Sequence, residues 1–232
     1  MKKQTSKKWT VATIFASVLL LTGIITYYTP ASAFRITPGE VNEINHSRIY
    51  VPSVRIQQAS VFDTIRYKYV FKTSNETFVA FQKQLTDDTL KATAKKDGED
   101  ALNDAVTVAF KIAHADTTGI APFTDAIKQD IKGNGSSSSL AVALYTYLQL
   151  THQKLQLDTA VSGDIYEDGT IHSVLGTKEK LITLAKKGIS QFVVASEDVP
   201  YLKEIMDTYG YTHVKIIGVS TFDECLKKLY LK

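Results

Sequence analysis

The sequence predicts a mixed α+β domain that begins near residue 35, after an N-terminal leader. The chain has 232 residues, 44% of them hydrophobic, which is enough for one well-packed core and a short appendage. Beyond residue 34, short apolar runs typical of strands alternate with longer stretches of helical character. We therefore divide the chain into a leader (1–33), the N-terminal strands and polar helix of the domain (34–102), and a C-terminal functional domain (103–232).

The leader combines a basic start with a long apolar stretch. Four lysines precede the 18 apolar-rich residues from Val11 to Tyr28, and small residues at Ala31 and Ala33 follow a proline. This pattern predicts a secretory signal peptide cleaved near Ala33, or a retained transmembrane anchor of just sufficient length. Both alternatives leave the lysines inside and place Phe34 onward outside the cytoplasm.

The elements after the leader follow from periodicity and turn residues. Alternating apolar residues predict strands over 48–56 and 63–72, a polar stretch predicts a helix over 82–104, and an apolar run predicts a buried strand over 105–113. Glycine and proline predict a loop over 118–126, and the run 140–150 is apolar nearly all round, like a buried helix. The remaining predictions are a hairpin turning at 167–169, helices over 177–188, 197–210 and 221–231, and strands over 190–195 and 213–219.

Composition argues against several classes of function. The four leader lysines exceed the net charge of +3, so the rest of the chain carries −1 and gives no support for nucleic-acid binding. Cys225 is the only cysteine, so no intrachain disulfide forms. The five histidines are scattered without a metal-binding spacing, and we predict no metal or other cofactor.

Four consecutive serines, Ser136 to Ser139, separate a glycine-bearing turn from the apolar helix at 140–150. One interpretation is that a serine caps the helix and the others fill the turn. The other is that one serine is a nucleophile, with the N–H groups of the helix start stabilising an oxyanion. A serine nucleophile needs a base, and the sequence suggests no His–Asp pair.

A possible base comes from the segment 162–189, "SGDIYEDGTIHSVLGTKEKLITLAKKGI", which resembles the signature region of Lon-type (S16) peptidases. The resemblance implies a Ser–Lys dyad in which Lys180, the second lysine of a Lys-Glu-Lys motif, is the base. The family's ungapped interval of 43 residues leads back from Lys180 to Ser137 as nucleophile. It also implies supporting roles for Gly135 and Ser138 in the turn, and for Ser162, which replaces a threonine that aims the lysine.

The resemblance implies that residues 103–232 form a Lon-like proteolytic domain with a ribosomal-protein-S5-like fold, in which Ser137 lies at or just before a helix start. It also implies a serine endopeptidase that cleaves unfolded or exposed peptide segments without a cofactor. "ITPGEV" after the leader resembles the start of membrane-anchored Lon-like proteases that carry a PDZ module, but the sequence shows neither that module nor a nucleotide-binding P-loop. We therefore expect no nucleotide or nucleic-acid partner, and membrane contact through an uncleaved leader.

The turn departs from the family pattern, and two other functions stay open. Ser136 replaces a proline, and Ser138 and Ser139 replace an alanine and a glycine. A helical-wheel projection points Lys178 nearer to the buried face than Lys180, and a Lys-Glu-Lys run taken alone is usually a solvated surface. The alternatives are an inactive peptide-binding module of the Lon fold and an envelope interaction protein whose serines only cap a helix.

Overall fold

The structure, a computed structural model of the chain, describes residues 3–69, 76–80, 87–130 and 135–231. The chain folds into two compact units, one of residues 1–36 and 56–85 and the other of residues 37–55 and 86–232. The predicted boundaries at residues 33 and 102 do not coincide with this division and remain predictions.

Helices and strands alternate through most of the described chain. The helices are α1 (Lys3–Tyr28), α2 (Val61–Tyr69), α3 (Asp87–Ile112), α4 (Ile120–Asp130), α5 (Ser139–Thr151), α6 (Thr177–Lys187), α7 (Val199–Tyr209) and α8 (Phe222–Lys228). The strands are β1 (Pro30–Glu43), β2 (Ile49–Ser60), β3 (Thr77–Ala80), β4 (Thr159–Val161), β5 (Asp164–Ile165), β6 (Ile171–His172), β7 (Gln191–Ala195) and β8 (Lys215–Val219). The mixed character of the predicted fold is confirmed, while the ribosomal-protein-S5-like arrangement remains an expectation.

In the smaller unit, the strand predicted over 63–72 is wrong for its described part, because helix α2 occupies 61–69. A capping box starts this helix: the Asp63 backbone N–H donates to the Ser60 hydroxyl at 3.0 Å, and the Ser60 N–H donates to the Asp63 carboxylate at 3.2 Å. These bonds satisfy backbone donors at the helix start and outweigh the alternating apolar pattern. Residues 70–72 of the prediction lie outside the described residues.

The predicted leader coincides with helix α1, which ends at Tyr28, and the following residues enter strand β1. The side chains of residues 1–11, including the four lysines, lie outside the described residues. Over the part of the chain that the structure describes, no helix combines the length and the apolar character needed to cross a bilayer. The signal or anchor therefore remains a prediction.

The larger unit is built on a sheet in which strands β2, β4, β7 and β8 are neighbours in that order. All three of these pairings are parallel, with Ile49 opposite Thr159, Val161 opposite Val193, and Val194 opposite Gly218. Parallel neighbours end at the same edge of a sheet, so the segments that follow β4, β7 and β8 converge there. The candidate site lies at this edge.

Both faces of the sheet are buried along strand β7. Along β7, Val193 and Ala195 belong to a cluster with helices α3, α5 and α8, while Phe192 and Val194 belong to a second cluster with helices α6 and α7. This alternation follows from the two-residue period of a strand. Two helical layers covering a parallel sheet explain why β7 reads as a continuous apolar run.

Two predictions before the serine run are wrong. Residues 105–112 continue helix α3, and only its earlier polar part was expected to be helical. Ala105, Val106, Val108 and Ala109 are buried at helical spacing, which a short apolar run cannot distinguish from a strand. The loop predicted over 118–126 is largely helix α4, because Pro122 lies in its first turn, where proline is tolerated.

From the serine run onward, the predicted elements are confirmed. Helix α5 begins at Ser139, the last of the four serines, and β5 pairs antiparallel with β6 to form the hairpin around Gly169. Gly188 ends α6 with a left-handed φ of 79°, as its sequence position predicts. The alternation of β7, α7, β8 and α8 completes the chain as expected.

Candidate active site

Lys180 is buried at the start of helix α6, with 1% of its surface exposed. Its neighbours Thr177, Lys178 and Glu179 are buried as well, so the Lys-Glu-Lys run is not a solvated surface. Lys180 is also buried more deeply than Lys178, which is 8% exposed, contrary to the helical-wheel projection. The left-handed Gly176 directly before α6 sets the direction in which the helix starts.

The Lys180 amine donates a hydrogen bond to the Ser162 hydroxyl, with a distance of 2.9 Å between Nζ and Oγ. Burial lowers the pKa of Lys180 from 10.5 to about 8, because the interior disfavours the charged ammonium. The nearby carboxylates of Asp198 and Glu179 oppose that shift by raising the pKa. The result is an amine whose neutral form is accessible near physiological pH, as a general base requires.

Ser162 follows strand β4 and is 1% exposed. Its backbone N–H donates to the Val193 carbonyl at 3.0 Å, which extends the pairing of β4 with β7 by one residue. The Ser162 hydroxyl, which accepts from Lys180, lies 3.5 Å from the Ser137 carbonyl oxygen and donates to it. Ser162 therefore connects the buried lysine to the serine turn.

The serine turn is a single 3-10 turn, Ser136–Ser138, that leads directly into helix α5. Ser137 thus lies two residues before the first residue of α5, close to the helix start as expected. Gly135 precedes the turn with φ 118° and ψ 160°, a conformation essentially confined to glycine. Gly98 of helix α3 packs against it so closely that a Cβ at Gly98 would lie 2.8 Å from the Gly135 nitrogen.

Backbone hydrogen bonds hold the turn against the residues after β4. The Gly163 N–H donates to the Ser137 carbonyl at 3.2 Å, and the Leu140 N–H donates to the Gly163 carbonyl at 3.3 Å. The structure therefore brings Ser137, Ser162 and Lys180 together from three separate segments. Among the described residues, no hydrogen bond joins the Ser137 hydroxyl directly to the Lys180 amine; the connection runs through Ser162 and the Ser137 carbonyl.

Two polar residues of this region have no assigned role in the sequence prediction. Ser139 is buried, and its hydroxyl accepts from the Ile165 N–H at 2.9 Å, which fastens α5 to strand β5. Asp198 is 8% exposed and follows strand β7. The sequence does contain a signal for Asp198, an acidic residue between a buried strand and a proline-initiated helix, but the pattern by itself assigns the residue only to that helix.

The described residues offer no group of three or more histidine, cysteine, aspartate or glutamate side chains that could hold a metal ion. The polar groups that converge at the site are hydroxyls, an amine and backbone amides. This set suits acyl transfer by a serine and an amine base.

The part of the chain that resembles known proteins contains the candidate site. Residues 126–232 match the family model of the Lon protease (S16) C-terminal proteolytic domain. The Lon protease of Porphyromonas gingivalis is 28% identical over 102 residues, which are 44% of this chain and 12% of that protein. The Lon protease of Ureaplasma parvum serovar 3 is 25% identical over 138 residues, or 54% of this chain and 17% of that protein.

A further relative, Lon protease 1 of Hydrogenovibrio crunogenus, is 34% identical over 77 residues, which are 33% of this chain and 9% of that protein. The chain thus spans less than a fifth of the length of these relatives. The matched region contains the serine turn, Ser162 and Lys180. Over residues 126–232, slightly less than half of its length, the chain is therefore similar to the Lon-type (S16) proteolytic domain family.

Proposed function

We propose that this protein is a serine endopeptidase in which Ser137 is the nucleophile and Lys180 is the general base. One observation carries the proposal: a fully buried lysine amine is hydrogen-bonded to Ser162, whose hydroxyl contacts Ser137. A lysine is normally charged and exposed, so its burial beside hydroxyl groups points to a catalytic use.

The proposed reaction has two steps. Neutral Lys180 accepts the Ser137 hydroxyl proton while Oγ bonds to the peptide carbonyl carbon, and the ammonium then protonates the departing amine. Lys180 next takes a proton from water, whose oxygen bonds to the acyl carbon; the ester C–O bond breaks, the Lys180 ammonium returns its proton to the Ser137 oxygen, and the acid is released. With a pKa of about 8, about a tenth of the amine is neutral at pH 7. The Ser137–Lys180 contact would form with substrate bound, as catalytic hydrogen bonds often do.

The start of helix α5 is the proposed oxyanion site. The N–H groups of the turn around Ser137 and Ser138 lie at the positive end of the α5 dipole, which favours a developing negative charge. Gly135 supplies the backbone conformation that leads into this turn. Ser162 would aim the lysine, because its hydroxyl is the acceptor for Nζ.

We further propose that the peptidase works outside the cytoplasm and without nucleotide, on unfolded or exposed peptide segments. The basic start and apolar stretch of the leader support the location. Protease added to intact cells should digest the domain while a cytoplasmic marker survives. Peptide cleavage should proceed in nucleotide-free buffer, and a strict requirement for ATP would contradict this part of the proposal.

The dyad is tested by comparing Ser137→Ala, Lys180→Ala and the double variant on a panel of unfolded peptides. Each single change should abolish cleavage, and the double variant should be no worse, because residues that act as one catalytic unit are non-additive. Ser136→Ala and Lys186→Ala are matched controls, one in the same turn and one exposed on the same helix, and should keep most activity. Full activity in Lys180→Ala would refute the dyad.

The lack of a direct bond between the Ser137 hydroxyl and the Lys180 amine favours a second candidate, an inactive peptide-binding module. The same peptide panel separates the two. Binding without cleavage by the unmodified protein would support the module, whereas cleavage that depends on Ser137 supports the peptidase.

A further inference from the structure

Asp198 is a buried carboxyl group that the proposed dyad does not use. It is 8% exposed, and its Oδ1 accepts a hydrogen bond from the Ser173 hydroxyl at 2.6 Å. Its Oδ2 is buried and has no hydrogen-bond partner within the described chain. Buried carboxyl oxygens without a hydrogen-bond partner are uncommon and destabilising in folded proteins, so the arrangement calls for a functional explanation.

The sheet places Asp198 at the same edge as the proposed catalytic lysine. Strands β4 and β7 are parallel neighbours, with Val161 opposite Val193, so the segments that follow them leave the sheet together. The segment after β4 begins with Ser162, which holds the Lys180 amine at 2.9 Å. The segment after β7 is the 3-10 turn Ser196–Asp198, which ends with the buried carboxyl.

Ser173 fixes this carboxyl relative to the start of helix α6. Its hydroxyl donates to Asp198, and its backbone N–H donates to the Glu197 carboxylate at 2.6 Å. Ser173 stands three residues before Gly176, which precedes the helix that carries Lys180. The short stretch from Ser173 to Lys180 therefore links the position of the Asp198 carboxyl group to that of the helix that carries the amine.

The Asp198 carboxylate and the Lys180 amine influence each other's charge state. Asp198 is the stronger and Glu179 the weaker of the carboxylates that favour the charged form of Lys180. Glu179 also forms an ion pair with the largely buried Lys178, with 3.5 Å between Oε1 and Nζ.

Burial raises the pKa of Asp198, and the hydrogen bond from Ser173 opposes that shift. The nearby Glu197 carboxylate also raises this pKa, whereas Lys180 lowers it. A carboxylate near a buried amine favours its ammonium form and so delays deprotonation as the pH rises.

We propose that Asp198, aimed by Ser173, is a positioning residue whose carboxylate holds a proton on Lys180 and thereby sets the lower pH limit at which the peptidase works. The effect of Asp198 on catalysis rests on the proposed function. The interaction between the two side chains is measurable without any substrate.

The test is an NMR titration of the full chain labelled with ¹³C-lysine, in which the Lys180 Cε signal is identified by its loss in Lys180→Met. In Asp198→Asn, which keeps the shape of the side chain and removes its charge, the titration midpoint of Lys180 should fall by roughly one pH unit. Glu204→Gln removes an exposed charge from helix α7, which follows Asp198, and should leave the midpoint where it is in the parent. An unchanged midpoint in Asp198→Asn overturns the inference.

Ser173 gives a second pair of variants that keep the carboxyl group itself. Ser173→Ala should move the Lys180 midpoint in the same direction as Asp198→Asn, because the carboxylate loses the donor that favours its charge, and Ser173→Thr should restore it. If the protein cleaves peptides, the rise of kcat/KM with pH should move down by the same amount as the midpoint. A shifted midpoint with no cleavage by any variant contradicts the proposed function alone, whereas cleavage with an unshifted midpoint contradicts the role of Asp198 alone.

Discussion

Replacing Lys180 with methionine should stabilise the protein at neutral pH, although it removes a proposed catalytic group. Methionine has a similar length and no charge, so it relieves the burial of an ammonium. The folded-state pKa of about 8 lies below the ordinary 10.5, so the folded protein holds the proton less tightly than the unfolded chain. The difference is worth about 3 kcal/mol at pH 7, falling to about 1 kcal/mol at pH 10, because the penalty disappears as the pH rises from 8 to 10.5.

Loss of the bond to Ser162 offsets about 1 kcal/mol of this gain at both pH values. Lys180→Met should therefore be more stable than the parent by about 2 kcal/mol at pH 7 and of nearly equal stability at pH 10. Urea denaturation followed by circular dichroism at the two pH values measures this difference. Lys186→Met, which removes an exposed charge from the same helix, should show no such pH dependence.

A Lys180→Met protein that is less stable than the parent by the same margin at both pH values would refute the reasoning. That result would mean that the ammonium is not penalised in the folded state. The Lys180 amine would then be an ordinary charged group, and the case for a general base at this position would lose its physical support.

Three further predictions concern the residues around the turn. Ser162→Ala should lower kcat/KM on the order of tenfold or more, whereas Ser162→Thr, which keeps the hydroxyl, should keep most activity; equal losses would contradict the aiming role. Ser139→Ala should lower the free energy of unfolding by about 1–3 kcal/mol in urea titrations, because the buried Ile165 N–H loses its acceptor, and an unchanged value would show that another acceptor replaces it. Gly98→Ala should lower activity about tenfold or more, although alanine favours helix α3, because its Cβ would push the Gly135 backbone and displace the turn; unchanged kcat would refute that coupling.

The C-terminal half of the fold could be predicted from sequence because its signals are local. Gly188 ends a helix, the Glu167-Asp168-Gly169 turn makes a hairpin, and each strand is a compact apolar run. The N-terminal errors come from patterns that two structures share. Residues 105–113 suit a buried strand as well as a buried helix, and only packing of α3 against α5 decides between them.

The candidate site was predictable in its parts but not in its arrangement. The interval between Ser137 and Lys180 is visible in the sequence, whereas the burial of Lys180 and its hydrogen bond to Ser162, which follows β4, are not. Helical periodicity could not show this, because the first turn of α6 is covered by segments distant in sequence. Asp198 is visible in the sequence as an acidic residue after a strand, but its placement at the same sheet edge as Lys180 depends on the parallel pairing of β4 with β7 and on the hydrogen bond from Ser173.

The central claim, that Ser137 attacks carbonyl groups with Lys180 as its base, is tested most directly by trapping the acyl-enzyme. The protein is mixed with an activated peptidyl ester, quenched in acid, digested and examined by tandem mass spectrometry to locate the acyl group. The account predicts acylation at Ser137 in the parent and in Ser136→Ala, faster as the pH rises through about 8, and none in Lys180→Ala. Acylation at a different serine, or equal acylation of Ser137 in Lys180→Ala, would contradict it.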